Sequence, residues 1–140
     1  MSRKPEQQLW DRMRKALKTH GMRLERIENV VAEGIPDVLS LAAGLVTFVE
    51  LKQVLNPPKR PTTRLIPSGK GLRRSQLNWH LEWTRHRGRS LVIVGVDSKT
   101  IYAFPGSDAD HINAMTEAQM ELCCVARSWD EVANYLKGQK

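Results

Sequence analysis

The chain has 140 residues, 41% of them hydrophobic and 26% charged, with a formal net charge of +7. That balance fits one globular domain over residues 1–140 and excludes a disordered tail. No apolar run approaches the roughly 20 residues of a bilayer span, and the polar start MSRKPEQQLW opens no signal-peptide core, so a soluble, intracellular, cytoplasmic protein is expected.

The first predicted element is a helix over residues 4–20. Pro5 suits its opening turn, Gly21 its stop, and Leu9, Met13, Ala16 and Leu17 recur at helical spacing. Glu6 falls on the buried side of that helix near its N-terminus; a first-turn acid that complements the helix dipole is the plain reading. Residues 22–28, MRLERIE, read as a strand followed by a turn through Asn29 to Gly34.

Asp37 to Leu41 and Val46 to Lys52 then form a predicted hairpin, with Gly44 available for a positive backbone angle. An even loop, such as Ala43 and Gly44 alone, pairs Ala42 with Leu45 and Leu39 with Phe48, which sets Asp37 opposite Glu50, whereas an odd loop without a bulge would put the acids on opposite faces. Side chains alternate along a strand, so Lys52 joins the face of the two acids while Val38, Val49 and Leu51 point the other way. Apolar residues on both faces predict a sheet covered by helices on each side.

Residues 53–71 hold Pro57, Pro58, Pro61, Pro67, Gly69 and Gly71, too many breakers for regular structure, and a loop of this length is usually functional or mobile. No Asp or Glu occurs between Glu50 and Glu82, whereas Lys52, Lys59, Arg60, Arg64, Lys70, Arg73 and Arg74 all fall there. A phosphate backbone matches such a run; a solvated basic loop is the alternative.

Helical periodicity returns in LRRSQLNWHLEWTRHRG, with Leu77 and Leu81 in one stripe, Gln76, Trp79 and Trp83 in an adjoining one, and Gly88 as the stop. The two tryptophans read as core rather than as a base-stacking platform. LVIVGV (91–96) and IYAF (101–104) are short strands, and residues 105–140 read as a helical extension in which Ser128 with Glu131, and Thr116 with Gln119, have capping-box spacing. His20, His80, His86 and His111 lack metal-ligand spacing, Asp108 to His111 is a loop entering a helix, and the adjacent Cys123 and Cys124 are badly placed to pair with one another.

Two carboxylates side by side repel, and a divalent cation removes that cost. Oxygen donors favour Mg²⁺ or Mn²⁺ over zinc. With a lysine one strand step away, these are the parts of metal-assisted phosphodiester hydrolysis.

Pro36-Asp37 followed by Glu50-Leu51-Lys52 resembles the signature of the PD-(D/E)XK nuclease superfamily. The wider series of Glu6, Gly34-Ile35-Pro36-Asp37, Phe48 to Lys52, then Ser75-Gln76 with Trp79, is similar to the VRR-NUC family, the virus-type replication-repair nucleases, over about residues 6–96. The resemblance implies a restriction-endonuclease-like α/β core, a central mixed β-sheet flanked by helices on both faces. It further implies that Asp37, Glu50 and the backbone carbonyl of Leu51 hold Mg²⁺ or Mn²⁺, that Lys52 is the catalytic lysine, and that Gln76 lies near the site. Glu6 matches the family's early acid, with Glu28 and Glu33 as competitors. Lys59, Arg60, Arg64, Lys70, Arg73 and Arg74 would bind nucleic acid. The implied activity is a structure-specific DNA endonuclease that resolves four-way (Holliday) junctions as a homodimer, in DNA repair or in a phage acting within its host cell. Alternatives are a flap or other DNA or RNA nuclease, and a non-catalytic basic accessory protein.

Overall fold

The computed structural model describes residues 5–27 and 34–139. Helix α1, Pro5–Leu17, buries Leu9, Trp10, Met13 and Leu17, runs into a 3-10 turn at Lys18–His20, and stops at Gly21 in the left-handed conformation (φ +70°). Strand β1 follows at Arg23–Arg26, then β2 at Val38–Ala42 and β3 at Leu45–Gln53. Ala43 (φ +51°) and Gly44 (φ +79°) make the two-residue turn between them, and both positive angles match the twist a tight hairpin requires. The observed register pairs Ala42 with Leu45, Leu39 with Phe48 and Val38 with Val49, as the alternation predicts.

Helix α2, Arg74–Arg85, crosses over to β4, Arg89–Gly95, which runs parallel to β3; β5, Ile101–Pro105, is antiparallel to β4. The mixed sheet has the order β1-β2-β3-β4-β5. After a 3-10 turn at Gly106–Asp108 come α3 (Ala109–Ile112), α4 (Glu117–Cys123) and α5 (Trp129–Leu136). Thr116 and Ser128 cap α4 and α5 by accepting from the N–H of Gln119 and Glu131, as their spacing predicts. The chain beyond α4 pairs with the outer edge of β5: Ala103 N–H donates to the Ala126 carbonyl at 2.9 Å.

Each face of the sheet has its own core. On one, α1 and α5 pack Leu9, Met13, Leu17, Val132 and Leu136 over Val38, Val49, Leu51, Leu91 and Ile93. On the other, Val92, Val94, Tyr102 and Phe104 meet Ile112, Met115 and Met120 together with Leu65, Ile66 and Leu72. Those last three residues come from the long basic loop, and each fully buried aliphatic side chain stabilises by about 1.5–3 kcal/mol. Leu65 N–H also bonds the Met115 carbonyl at 2.8 Å, and the Asn113 amide bonds both backbone groups of Leu72 at 2.9 Å. The loop is therefore pinned to the second core at three points, while its basic side chains reach solvent.

Candidate active site

Asp37 lies one residue ahead of β2, on the line that places it opposite Glu50. Its backbone carbonyl accepts from Ile27 N–H at 2.7 Å, and its Oδ2 accepts from Leu51 N–H at 2.9 Å. The N–H and C=O of one residue in an extended strand point the same way, so the Leu51 carbonyl shares the side on which Asp37 stands. Gly34 explains the approach of this segment to α2. It has φ +88°, and a Cβ there would run into the Ser75 carbonyl at the start of the helix.

Glu50 is buried, 1% exposed. Its Oε2 accepts from Gln76 Nε2 at 3.2 Å, and Gln76 is itself oriented because its Oε1 accepts from the Arg73 N–H at 2.9 Å. The helix start thus aims one amide at one carboxylate. Glu50 Oε1 has no hydrogen-bond partner.

Burial pushes the Glu50 carboxyl far above the usual carboxylate range; the Asp37 charge and a hydrogen bond to Asp37 push the same way, while Lys52 and Arg73 pull it back. Without a cation the buried Glu50 carboxyl therefore favours its protonated form. An unsatisfied buried polar atom costs about 1–3 kcal/mol, which makes the orphaned Oε1 a mark of an absent partner. The donor set is carboxylate and carbonyl oxygen, which fits Mg²⁺ or Mn²⁺ and not zinc.

Lys52 is half-buried on the Glu50 face of β3, near enough for its charge to act on Glu50. Glu6 is half-buried in the first turn of α1. Among the described residues no group of three or more His, Cys, Asp or Glu side chains stands ready to hold a metal, so Glu6 does not complete a three-acid cluster with Asp37 and Glu50. Glu28 and Glu33 lie outside the described residues.

Lys59, Arg60, Arg64, Lys70, Arg73 and Arg74 are all exposed. Arg64 and Arg73 line a pocket of about 260 Å³ with Ser68, Gly69, Gly71 and Asn113. Lys59 and Arg60 line another that includes Glu117 and Glu121.

Sequence reasoning passed over His80. It is wholly buried, four residues after Gln76 on the same face of α2, with Nε2 3.6 Å from Glu50 Oε1 and Nδ1 2.8 Å from Ser90 Oγ. Burial lowers the His80 imidazole to about 4, against a smaller opposing pull from Asp37, so a neutral ring faces a protonated acid and the contact is not an ion pair. The signal available was the spacing of four from Gln76. Trp79 and Trp83 are half-buried, stack on each other at 5.1 Å between ring centroids, and meet Phe48 edge-on. They are neither enclosed core nor a free platform.

No protein-family model matches the chain, and no curated protein matches it in sequence. Among solved structures the chain is similar to Hjc, a Holliday junction resolvase of the archaeal hyperthermophile Archaeoglobus fulgidus, with a TM-score of 0.60 at 15% identity over 91% of this chain and 98% of that one. The fold is accordingly the restriction-endonuclease-like α/β fold, a mixed sheet between two helical layers.

Proposed function

We propose that the chain is a divalent-metal-dependent, structure-specific DNA endonuclease of the PD-(D/E)XK type, in the VRR-NUC branch, acting on branched DNA as a homodimer. The observation that carries this reading is the half-buried Asp37 beside the buried Glu50 at the open end of the β2–β3 hairpin, with Glu50 Oε1 left without a hydrogen-bond partner. A basic binding protein has no use for such a pair beside phosphates. The neighbour's described role in resolving Holliday junctions supports the substrate.

In this reading Asp37, Glu50 and the Leu51 carbonyl hold Mg²⁺ or Mn²⁺, with a further acid from Glu6, Glu28 or Glu33. Held there, a divalent ion would supply Lewis-acid chemistry, activating a water and neutralising charge on the phosphate. The Lys52 ammonium faces the charge that builds at phosphorus, and Gln76 holds Glu50 in its ligating orientation. Arg64 and Arg73, the basic pair whose pocket adjoins the start of α2, grip the backbone next to the scissile bond. Dimerisation is supported by an apolar face on the hairpin. Leu41 (45% exposed) and Val46 (47% exposed) are cross-strand partners beside Phe48 and the tryptophans, the kind of patch that marks an interface.

Cleavage of labelled four-way junction, flap, plain duplex and single-stranded DNA with Mg²⁺ or Mn²⁺ tests the reading. Paired symmetric nicks in the junction are expected. Equal cutting of plain duplex would sink the structure preference, and preferential cutting of flaps or RNA would move the chemistry to that substrate.

A further inference from the structure

His80 has no part in the hydrolytic reading, yet three separate segments converge on it. Its ring is held from β4 by Ser90 Oγ, 2.8 Å from Nδ1. Ser90 is itself 2% exposed and is the parallel-strand partner of Phe48, two residues before Glu50. The 3-10 turn after β5 leaves room for that bond only because residue 106 is glycine; a Cβ there would fall onto Ser90 Oγ and press on His80 Nδ1. On the opposite side of the ring, Nε2 looks at Glu50 Oε1 across 3.6 Å, and neither atom has a hydrogen-bond partner. Two polar atoms buried face to face, each unsatisfied, describe a bond waiting for a change at Glu50.

We propose that His80 is a positioning residue for Glu50: Ser90 donates to Nδ1, which leaves the imidazole proton on Nε2 to grip Glu50 Oε1 when that carboxylate ligates a metal. Gln76 then holds Oε2 and His80 holds Oε1, so the carboxylate cannot rotate about its terminal bond. Outer partners of this kind orient ligands whose loss costs about 10–100-fold in metal affinity. The inference rests on the reading of Asp37 and Glu50 as metal ligands.

The test is Mn²⁺ affinity by calorimetry, beside metal-free melting temperature, for the wild type, Asp37→Ala, His80→Gln, His80→Asn, His80→Leu and Ser90→Ala. The Gln amide nitrogen reaches the place of Nε2, whereas the Asn amide reaches only that of Nδ1. His80→Leu and His80→Asn are expected to lose about tenfold or more in affinity, and His80→Gln to stay within about threefold of wild type. Affinity losses that merely follow the melting temperatures, with Gln no better than Asn, would overturn the proposal. So would a metal-free ¹⁵N imidazole spectrum showing the His80 proton on Nδ1. Wild-type Mn²⁺ binding that Asp37→Ala leaves intact would overturn the active-site reading and the positioning role together; binding that Asp37→Ala removes but His80→Leu and His80→Asn leave untouched would overturn the positioning role alone.

Discussion

Glu50 reports on its own site through the stability of the metal-free protein. Its proton affinity is raised from an ordinary 4.5, so the stability it contributes is complete below that pH and is lost as pH climbs toward the raised value. His80 works in the opposite sense: lowered from 6.5 to about 4, its contribution is complete above 6.5 and is lost as pH falls toward 4. Between the two ordinary values the slopes oppose one another. Above about pH 6.5 only Glu50 of the two remains, and metal-free stability is expected to fall by about 1.4 kcal/mol per pH unit. Glu50→Gln removes the ionisation while leaving an amide to face Asp37. Melted in a chelator, it is expected to exceed wild type at alkaline pH and to converge with it toward about pH 5. Parallel curves would contradict the buried, proton-holding carboxyl.

At the scale of elements, the β2–β3 hairpin was legible in its strands and turn, and the observed two-residue loop selects the register that brings Asp37 to Glu50 over the odd-loop one. Ala43 occupies the left-handed region at the first turn position, a strain of about 1–2 kcal/mol for an L-residue. Ala43→Asn is expected to raise stability by about 1 kcal/mol in denaturant melts without altering activity; a loss of stability would argue against the turn. Gly34→Ala should do the reverse, driving the Asp37 segment away from α2 and costing activity along with stability. Other elements were less legible for physical reasons. Gln76 was named from the sequence but His80 beside it was not, and Ser90 and Gly106 join the site only through tertiary packing. Leu65 and Ile66, two apolar residues among breakers, gave no periodic sign that the basic loop is anchored.

For the whole molecule, the net charge of +7 predicts DNA binding that weakens steeply with salt. Arg64→Ala and Arg73→Ala are each expected to lower the slope of log affinity against log salt by about 1. Lys59→Ala and Arg60→Ala should change it less, because Glu117 and Glu121 already face them; equal effects at all four would contradict that difference. Val46→Asp places a charge in the exposed apolar face of the hairpin. It is expected to convert a particle of twice the 15.9 kDa chain mass into the single chain and to uncouple the paired nicks. A wild type that is monomeric by light scattering while resolving junctions fully would refute the dimer.

The central claim is that Asp37, Glu50 and Lys52 hydrolyse a phosphodiester with a divalent ion, and its most direct test is single-turnover cleavage of a labelled four-way junction with Mg²⁺ by the wild type, Asp37→Asn and Lys52→Ala. Asn retains an oxygen for the Leu51 N–H, so the fold is preserved while the charge is removed. Cleavage by the wild type that falls by about a hundredfold or more in each variant, with junction binding kept, is the predicted result. Binding without cleavage in all three proteins, or cleavage that neither substitution alters, would contradict it.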